Sequence, residues 1–524
     1  MDRIAGAYGS EAVGRPKGRE ELSLEGRNPK AVIFAPFFFQ VFRMALFFGA
    51  AYSYYSHSSG LAWLLGILFV HSFLDPQFYT KPNLMNAYLA FTVIFYYCRW
   101  VMRWGFVGTT IYKEDAPNWV RVLKDIVWIG FVAIVGFRAL TRPRFDRNMP
   151  LWFTPRGMAF VLLAVIYLVL PTFSLIYARG NFFDIVLFDM RYPLEYVPFL
   201  FLFPFVLRGE SSVKYLRTFI PLIILSLLFL GVEMFSGIPT GFGGLGLYVR
   251  YGSIFGSPND FGVFLMLSIT VLLSFLVERA IRWSPKVIAL LGLCLGALAS
   301  TISLSSIFAM SFSIVALVLF ARDRTKSALT VLAAVALAAG LYFSFPDAAV
   351  SKFLTERLHN LATLQEGSAY SHYTSVEQAE EAIKRFEPVE YVVGTFQSRN
   401  DIMLPETYYL KTFYIRGGSS LLVLLSIIGL TLFEAYRRYR MARGNRMRKA
   451  LFLSAFLGVA GVAFACLFIS YLDTFPSNFY FWFLVAIIWC EPMSEKEVAA
   501  KLATRPRQQV GGARAQELAP RLGG

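Results

Sequence analysis

Apolar runs of about 17–22 residues recur from one end of the chain to the other. Each is long enough to cross a hydrocarbon core of about 30 Å as a helix. The pattern predicts spanning helices near 35–55, 60–75, 85–101, 126–141, 157–178, 193–208, 216–236, 259–277, 287–304, 305–321, 326–345, 413–434, 449–471 and 476–491, about fourteen in all. The ten-residue alternation that marks a membrane β-barrel is not found. The expected fold class is an all-α polytopic membrane protein with one large, partly helical external loop.

That loop is 346–412, too long for a plain connection. Asp347 opens an expected helix with Val350, Phe353, Leu354, Leu358 and Leu361 on one face. A second is expected from Ser375, which stands three residues before Gln378 as in a capping box. It turns Val376, Ala379, Ile383 and Phe386 inward and stops at Pro388. Residues 391–393 read as a short extended piece before Gly394. The domain plan is then a basic tail (1–30), a first membrane part (31–345), the cap (346–412), a last membrane part (413–494) and a second flexible tail (495–524). No internal repeat is found.

Composition agrees with the pattern: 56% of the 524 residues are hydrophobic and the mean hydropathy is +0.53. A net charge of +16 raises the possibility of nucleic acid. The cations sit in short loops and tails between apolar runs, which is the positive-inside distribution of a membrane protein, so nucleic acid is set aside. The cluster Arg437, Arg438, Arg440, Arg443, Arg446, Arg448 and Lys449 marks the cytoplasmic side most strongly. Alternate counting from it places both tails in the cytoplasm and puts 179–192, 237–258 and 346–412 outside. The segment 102–125, with four cations, runs against this scheme. The polar start through Lys30 reads as lacking a cleavable signal, the first span acting as insertion signal. Cys98, Cys294, Cys466 and Cys490 lie inside apolar runs with no paired spacing, so neither a disulfide framework nor a thiolate metal site is expected.

The richest chemistry is in 250–265, RYGSIFGSPNDFGVFL. Irregular backbone at membrane depth survives only under protein or beside a water-filled cavity. Arg250 carries a permanent charge and a planar fork suited to phosphate. The alternative is an interfacial arginine snorkelling to lipid phosphates. Gly252 and Gly256 permit close backbone approach, and Asn259 and Asp260 are placed to cap the next helix, whose N-terminus favours anions. Arg191 offers a second cation for a diphosphate, or an ion pair with Asp189. Glu406 either takes a proton from an acceptor hydroxyl or, following Pro405 as first helical residue, complements a helix dipole. Arg416 belongs to the same MLPETYYLKTFYIRGG stretch and is a candidate substrate-binding cation. His372 and His359 in the cap read as solvated or as helix partners, with catalysis the alternative, and His372 is a candidate substrate-binding residue. Buried charge in membranes is often functional, which singles out Arg43 and Glu233. The GxGxxG match at 241–246 lacks a βαβ context and reads as a flexible turn, and no HExxH, CxxC pair or DxD supports a metal site.

Taken in order, Arg250, Gly252, Gly256, Ser257-Pro258-Asn259 and Phe261-Gly262 resemble the helix-opening motif of the bacterial O-antigen ligases and the related O-antigen and exopolysaccharide polymerases. Gly367 to His372, Val393-Gly394, and Glu406, Tyr409-Leu410, Gly417-Gly418 resemble three parts of that superfamily's large external loop. The resemblance covers roughly 240–430. It implies glycosyl transfer at the periplasmic face of a bacterial inner membrane, from a polyprenyl-diphosphate-linked glycan donor to a glycan acceptor, with no cofactor, and a chain-length regulator as a conceivable partner. In that scheme Arg250 and Arg191 hold the diphosphate and Glu406 is the base. The chain departs from the ligase pattern at Glu406, where ligases carry histidine, at Ser305-Ser306, where many members have Ser-Arg, and at His372, where they have arginine. These departures favour a polymerase over a ligase acting on a lipid or protein acceptor. The rival from another class is a lipid-linked glycan flippase.

Overall fold

The computed structural model describes residues 46, 118–141, 149–174, 195–207, 212, 219–236, 250–255, 257–344, 359, 367–395, 406–442, 444–474 and 477–493. Among them the structure is all helical, α-helices with two short 3-10 turns and no strand. The helices are α1 (Asn118–Thr141), α2 (Pro150–Phe153), α3 (Pro155–Ser174), α4 (Phe199–Leu207), α5 (Phe219–Ser236), α6 (Pro258–Val277), α7 (Pro285–Thr301), α8 (Leu304–Phe320), α9 (Arg324–Ser344), α10 (Gly367–Ile383), α11 (Pro388–Val393), α12 (Tyr408–Met441), α13 (Arg446–Ala465) and α14 (Ser477–Cys490). Each expected span from 126 onward falls on one of these. Four of them, α3, α6, α12 and α13, are long and apolar enough to cross a membrane. The expected spans before 126 lie outside the described residues.

Helix α14 is apolar all round and buried along its whole length, so it is the central post. Helices α6, α8, α12 and α13 surround it or one another. Helix–helix association in lipid gains little from hiding apolar surface and relies on close packing and polar ties. Small residues provide the close packing. A Cβ on Gly461 of α13 would meet Ser313 of α8 at 2.5 Å and Met266 of α6 at 2.9 Å. A Cβ on Gly262 of α6 would meet the Ser306 hydroxyl of α8 at 2.5 Å.

Polar ties close the end of the bundle where α6, α12 and α14 finish. Buried Arg438 donates to the carbonyls of Ile488 and Glu491, 2.7 Å each, and so caps the C-terminus of α14. The Tyr439 hydroxyl donates to Glu278 at 2.6 Å and accepts from the Arg322 amide at 2.7 Å. The arginine cluster that reads as a topology mark thus contains a structural cap.

Several boundaries differ from the pattern's expectation. Helix α12 starts at Tyr408, not 413, because Lys411 and Thr412 are buried in a helical turn that hydropathy does not register. Helix α10 starts at Gly367, so Ser375 is a buried residue within it and not a helix cap. Residues 391–393 are helical, in α11, with Pro388 at its start and Glu387 and Glu390 forming the capping box. Helix α13 ends at Ala465, and Tyr471–Asp473 form a separate 3-10 turn.

Candidate functional site

The site begins with Arg250. Its Nε donates to the Thr301 carbonyl at 3.1 Å, and Nη2 donates to Asn259 Oδ1 at 2.8 Å. The first bond closes the C-terminus of α7, where Ile302 takes a left-handed φ of 52° and starts the turn into α8. The guanidinium is thus half-buried and fixed, with its Nε–Nη2 edge committed to protein partners. A phosphate using that edge would have to displace Asn259.

The segment that carries Arg250 is tied down from two sides. The buried Glu233 of α5 accepts from the Ser253 amide at 2.8 Å, and Ser253 Oγ donates to the Ser226 carbonyl at 2.6 Å. Ser253 has a φ of 48°, a left-handed conformation that costs a non-glycine residue about 1–2 kcal/mol. Phe255 wedges against α6, its ring 5.7 Å from Phe261 and 4.8 Å from Phe264.

Helix α6 is capped by Ser257, whose Oγ accepts from the Asp260 amide. The expectation that Asn259 and Asp260 are the caps is corrected: Pro258, with its preset φ, takes the first helical position and leaves the cap to the residue before it. Asn259 is thereby turned toward Arg250. Asp260 Oδ1 accepts from Thr474 Oγ1 at 2.8 Å and Ser477 Oγ at 3.1 Å, joining the start of α6 to the start of α14.

Between them stands a hydroxyl cluster. Ser303 Oγ lies 2.9 Å from Ser306 Oγ, and Ser306 donates to the Asn259 carbonyl. The Tyr471 hydroxyl is 2.7 Å from Ser305 Oγ and 3.3 Å from Ser306 Oγ. Burial pushes the Tyr471 phenol up to about 12, so it is neutral at ordinary pH.

Two residues further, Asp473 turns to the other side of the same turn. It pairs with Lys411 Nζ at 2.6 Å and faces Arg416 at 4.0 Å. Both cations and the carboxylate are about nine-tenths or more buried. Arg416 also meets the hydroxyls of Tyr408 and Tyr167, which stand 3.3 Å apart. Ser470 donates to the Glu406 carbonyl at 2.8 Å, bringing the start of α12 to the same turn.

The N-termini of α6, α8, α12 and α14 therefore gather around residues 466–474, each carrying the equivalent of about half a positive charge. Arg250, Lys411 and Arg416 are there too, with Asp260 and Asp473 opposing them. The arrangement favours anions, and it can orient and neutralise charge on a bound group.

Of the residues singled out in the sequence, Arg250, Asn259, Asp260 and Arg416 meet in this layer. Glu406 is exposed at its rim, one residue before the N-cap Thr407. The expectation that Pro405 opens the helix is corrected accordingly, so Glu406 is not a first-turn dipole partner. His372 lies on α10, and His359 is exposed. Arg191, Gly256, Arg43 and the 241–246 glycines lie outside the described residues. Sequence reasoning missed Lys411, Tyr471, Asp473, Thr474 and Ser477. For the last four the one signal was the break YLDTFPSN between two apolar runs, an Asp and a Pro interrupting hydrophobic sequence as in 257–260, and Lys411 stands in the same MLPETYYLKTFYIRGG stretch as Arg416. Among the described residues no group of three or more His, Cys, Asp or Glu gathers to hold a metal ion.

Beside the site, α11 locks into a kink in α12. Gly417 has a φ of 76° and Gly394 one of 79°, and a Cβ on either would lie 2.2–2.3 Å from a carbonyl oxygen of the other's segment. The Tyr414 carbonyl receives the Thr395 amide at 3.1 Å, and Ser419 Oγ donates to the Val392 carbonyl at 2.6 Å. Two glycines that read as separate motifs in the sequence are one contact. No protein-family model matches the chain, and the comparison with curated proteins finds no match.

Proposed function

We propose that the chain is a membrane glycan polymerase that joins repeat units carried on polyprenyl diphosphate at the non-cytoplasmic face of the bacterial inner membrane. The observation that supports this best is the gathering of four helix N-termini with Arg250, Lys411 and Arg416 at one end of an apolar bundle. A diphosphate at a lipid boundary is the anion such a layer suits. Its polyprenyl tail would stay in the bilayer beside the apolar helices.

In this reading the leaving diphosphate gathers negative charge as the glycosidic bond breaks. Arg250 and the helix N-termini stabilise that charge without a metal. Arg250 is already held by Thr301 and Asn259, so it needs little reorganisation at the moment of reaction. Glu406, exposed at the rim, takes the proton of the acceptor sugar hydroxyl as that oxygen attacks the anomeric carbon from the opposite face. Arg416, lined by Asp473 and two tyrosines, secures the phosphate further from the reacting carbon.

The test is polymer formation from lipid-linked repeat units in proteoliposomes. Arg250→Ala abolishes polymer while the protein remains membrane-inserted, and Arg250→Lys stays poor because a point charge cannot bridge Thr301, Asn259 and a phosphate. Glu406→Gln cuts product by roughly 10²-fold or more. Full activity in Arg250→Ala would sink the reading. Product found instead on a lipid or protein acceptor would make it a ligase, and movement of intact donor across the bilayer would make it a flippase.

A further inference from the structure

Glu233 is a fully buried carboxylate with no part in the chemistry proposed above. It sits on α5 and accepts the amide of Ser253, three residues beyond Arg250. Ser253 is held with a φ of 48°, and its hydroxyl is bound to the Ser226 carbonyl on the same helix. Backbone in a left-handed conformation at a serine persists only when its surroundings over-determine it. Here α5 supplies both restraints. The hydrogen bonds of the guanidinium to Thr301 and Asn259 fix where it points only if the backbone behind it is fixed as well.

We infer that Glu233 is a positioning residue for Arg250, which clamps the Ser253 amide and so holds the guanidinium in the anion-binding layer. The inference rests on the polymerase reading only for its biological meaning. Its physical content is that loss of the Glu233 acceptor weakens anion binding through Arg250 and through nothing else. A carboxylate kept merely for packing would show no such dependence.

The experiment uses the full chain in detergent and measures binding of a short polyprenyl diphosphate to Glu233→Met, Glu233→Gln, Arg250→Ala and the double variant with Glu233→Met and Arg250→Ala. Methionine fills nearly the same volume and accepts no useful hydrogen bond, so the Ser253 amide loses its acceptor while the packing around it is kept. Thermal unfolding of each variant is recorded beside binding. The expected result is binding about tenfold weaker in Glu233→Met, a coupling of about 1.4 kcal/mol, with the unfolding midpoint lowered only modestly, as the loss of one buried amide's acceptor requires. The same substitution adds no further loss on the Arg250→Ala background. Glu233→Gln, whose amide oxygen still accepts the Ser253 amide, stays within about threefold of wild type, and in the polymer assay lowers kcat no more than it raises KM. Equal losses from Glu233→Met in both backgrounds would overturn the inference, as would Glu233→Gln binding as poorly as Arg250→Ala. If Arg250→Ala binds the diphosphate as wild type does, the polymerase reading falls. If Arg250→Ala loses binding and Glu233→Met does not, the positioning role alone falls.

Discussion

Tyr471 and Asp473 lie two residues apart and face two different neighbourhoods, and each can be tested by a single substitution. The Tyr471 phenol, pushed up to about 12 by burial, is stabilised in its neutral form by the fold. Its folded value is above the ordinary 10.0, so the stability it adds is whole below pH 10 and drains as the pH rises from 10 to about 12. Tyr471→Phe removes the hydroxyl from Ser305 and Ser306 and costs about 1–2 kcal/mol at pH 8. Its thermal unfolding in detergent is then flatter than wild type between pH 10 and 12. Asp473 poses a charge question. Asp473→Asn leaves Lys411 and Arg416 facing each other in the interior, a loss of about 3–5 kcal/mol. Lys411→Met leaves Asp473 still facing Arg416, so its cost is smaller. Chemical unfolding of the two variants checks the order, and a reversed order would mean that Arg416 is not balanced by Asp473.

The paired glycines are the element-scale feature. Alanine at Gly394 or Gly417 must adopt a left-handed φ, at about 1–2 kcal/mol, and also drives its Cβ into backbone that no rotamer change can move. Either substitution therefore detaches α11 from the kink of α12. The expected outcome is faster limited proteolysis within 367–395, loss of polymer and unchanged helix content by circular dichroism. This contact also marks where the sequence stops being legible. Ser257 to Asp260 could be read as a helix start because a polar, Pro-containing turn before an apolar run is a local signal, but that signal does not say which residue is the cap: it is Ser257, not Asn259 or Asp260. The apolar runs from 126 onward could be placed because hydropathy is summed over many residues. The kink at Gly417 and the turn at Tyr471–Asp473 depend on partners more than 20 and more than 160 residues away in sequence, such as Val392 and Ser305. No local pattern reports them. Glu406 shows the opposite failure, a local rule applied three residues too early because Pro405 looked like a helix start.

At the scale of the molecule, the bundle has two chemically different ends. One gathers the helix N-termini with Arg250, Asp260, Tyr471 and Asp473. The other carries Arg438, Tyr439, Glu278 and Arg448, and continues into the basic turn between α12 and α13. The positive-inside rule predicts that the second end faces the cytoplasm, and the proposed donor chemistry requires the first to be outside. Both conditions stand or fall on one measurement. Leu467 is exposed beside the candidate site, and Met447 is exposed at the start of α13. The native Cys294, Cys466 and Cys490 are buried, so they add little background to thiol labelling, and Cys98 is replaced by serine in every variant and in the control. In intact cells stripped of their outer membrane, a membrane-impermeant maleimide labels Leu467→Cys and spares Met447→Cys. After the membrane is opened, both react. The inverse pattern would put Arg250 on the cytoplasmic side, where an already exported lipid-linked glycan cannot reach it, and the site would then have to serve an anion delivered from the cytoplasm.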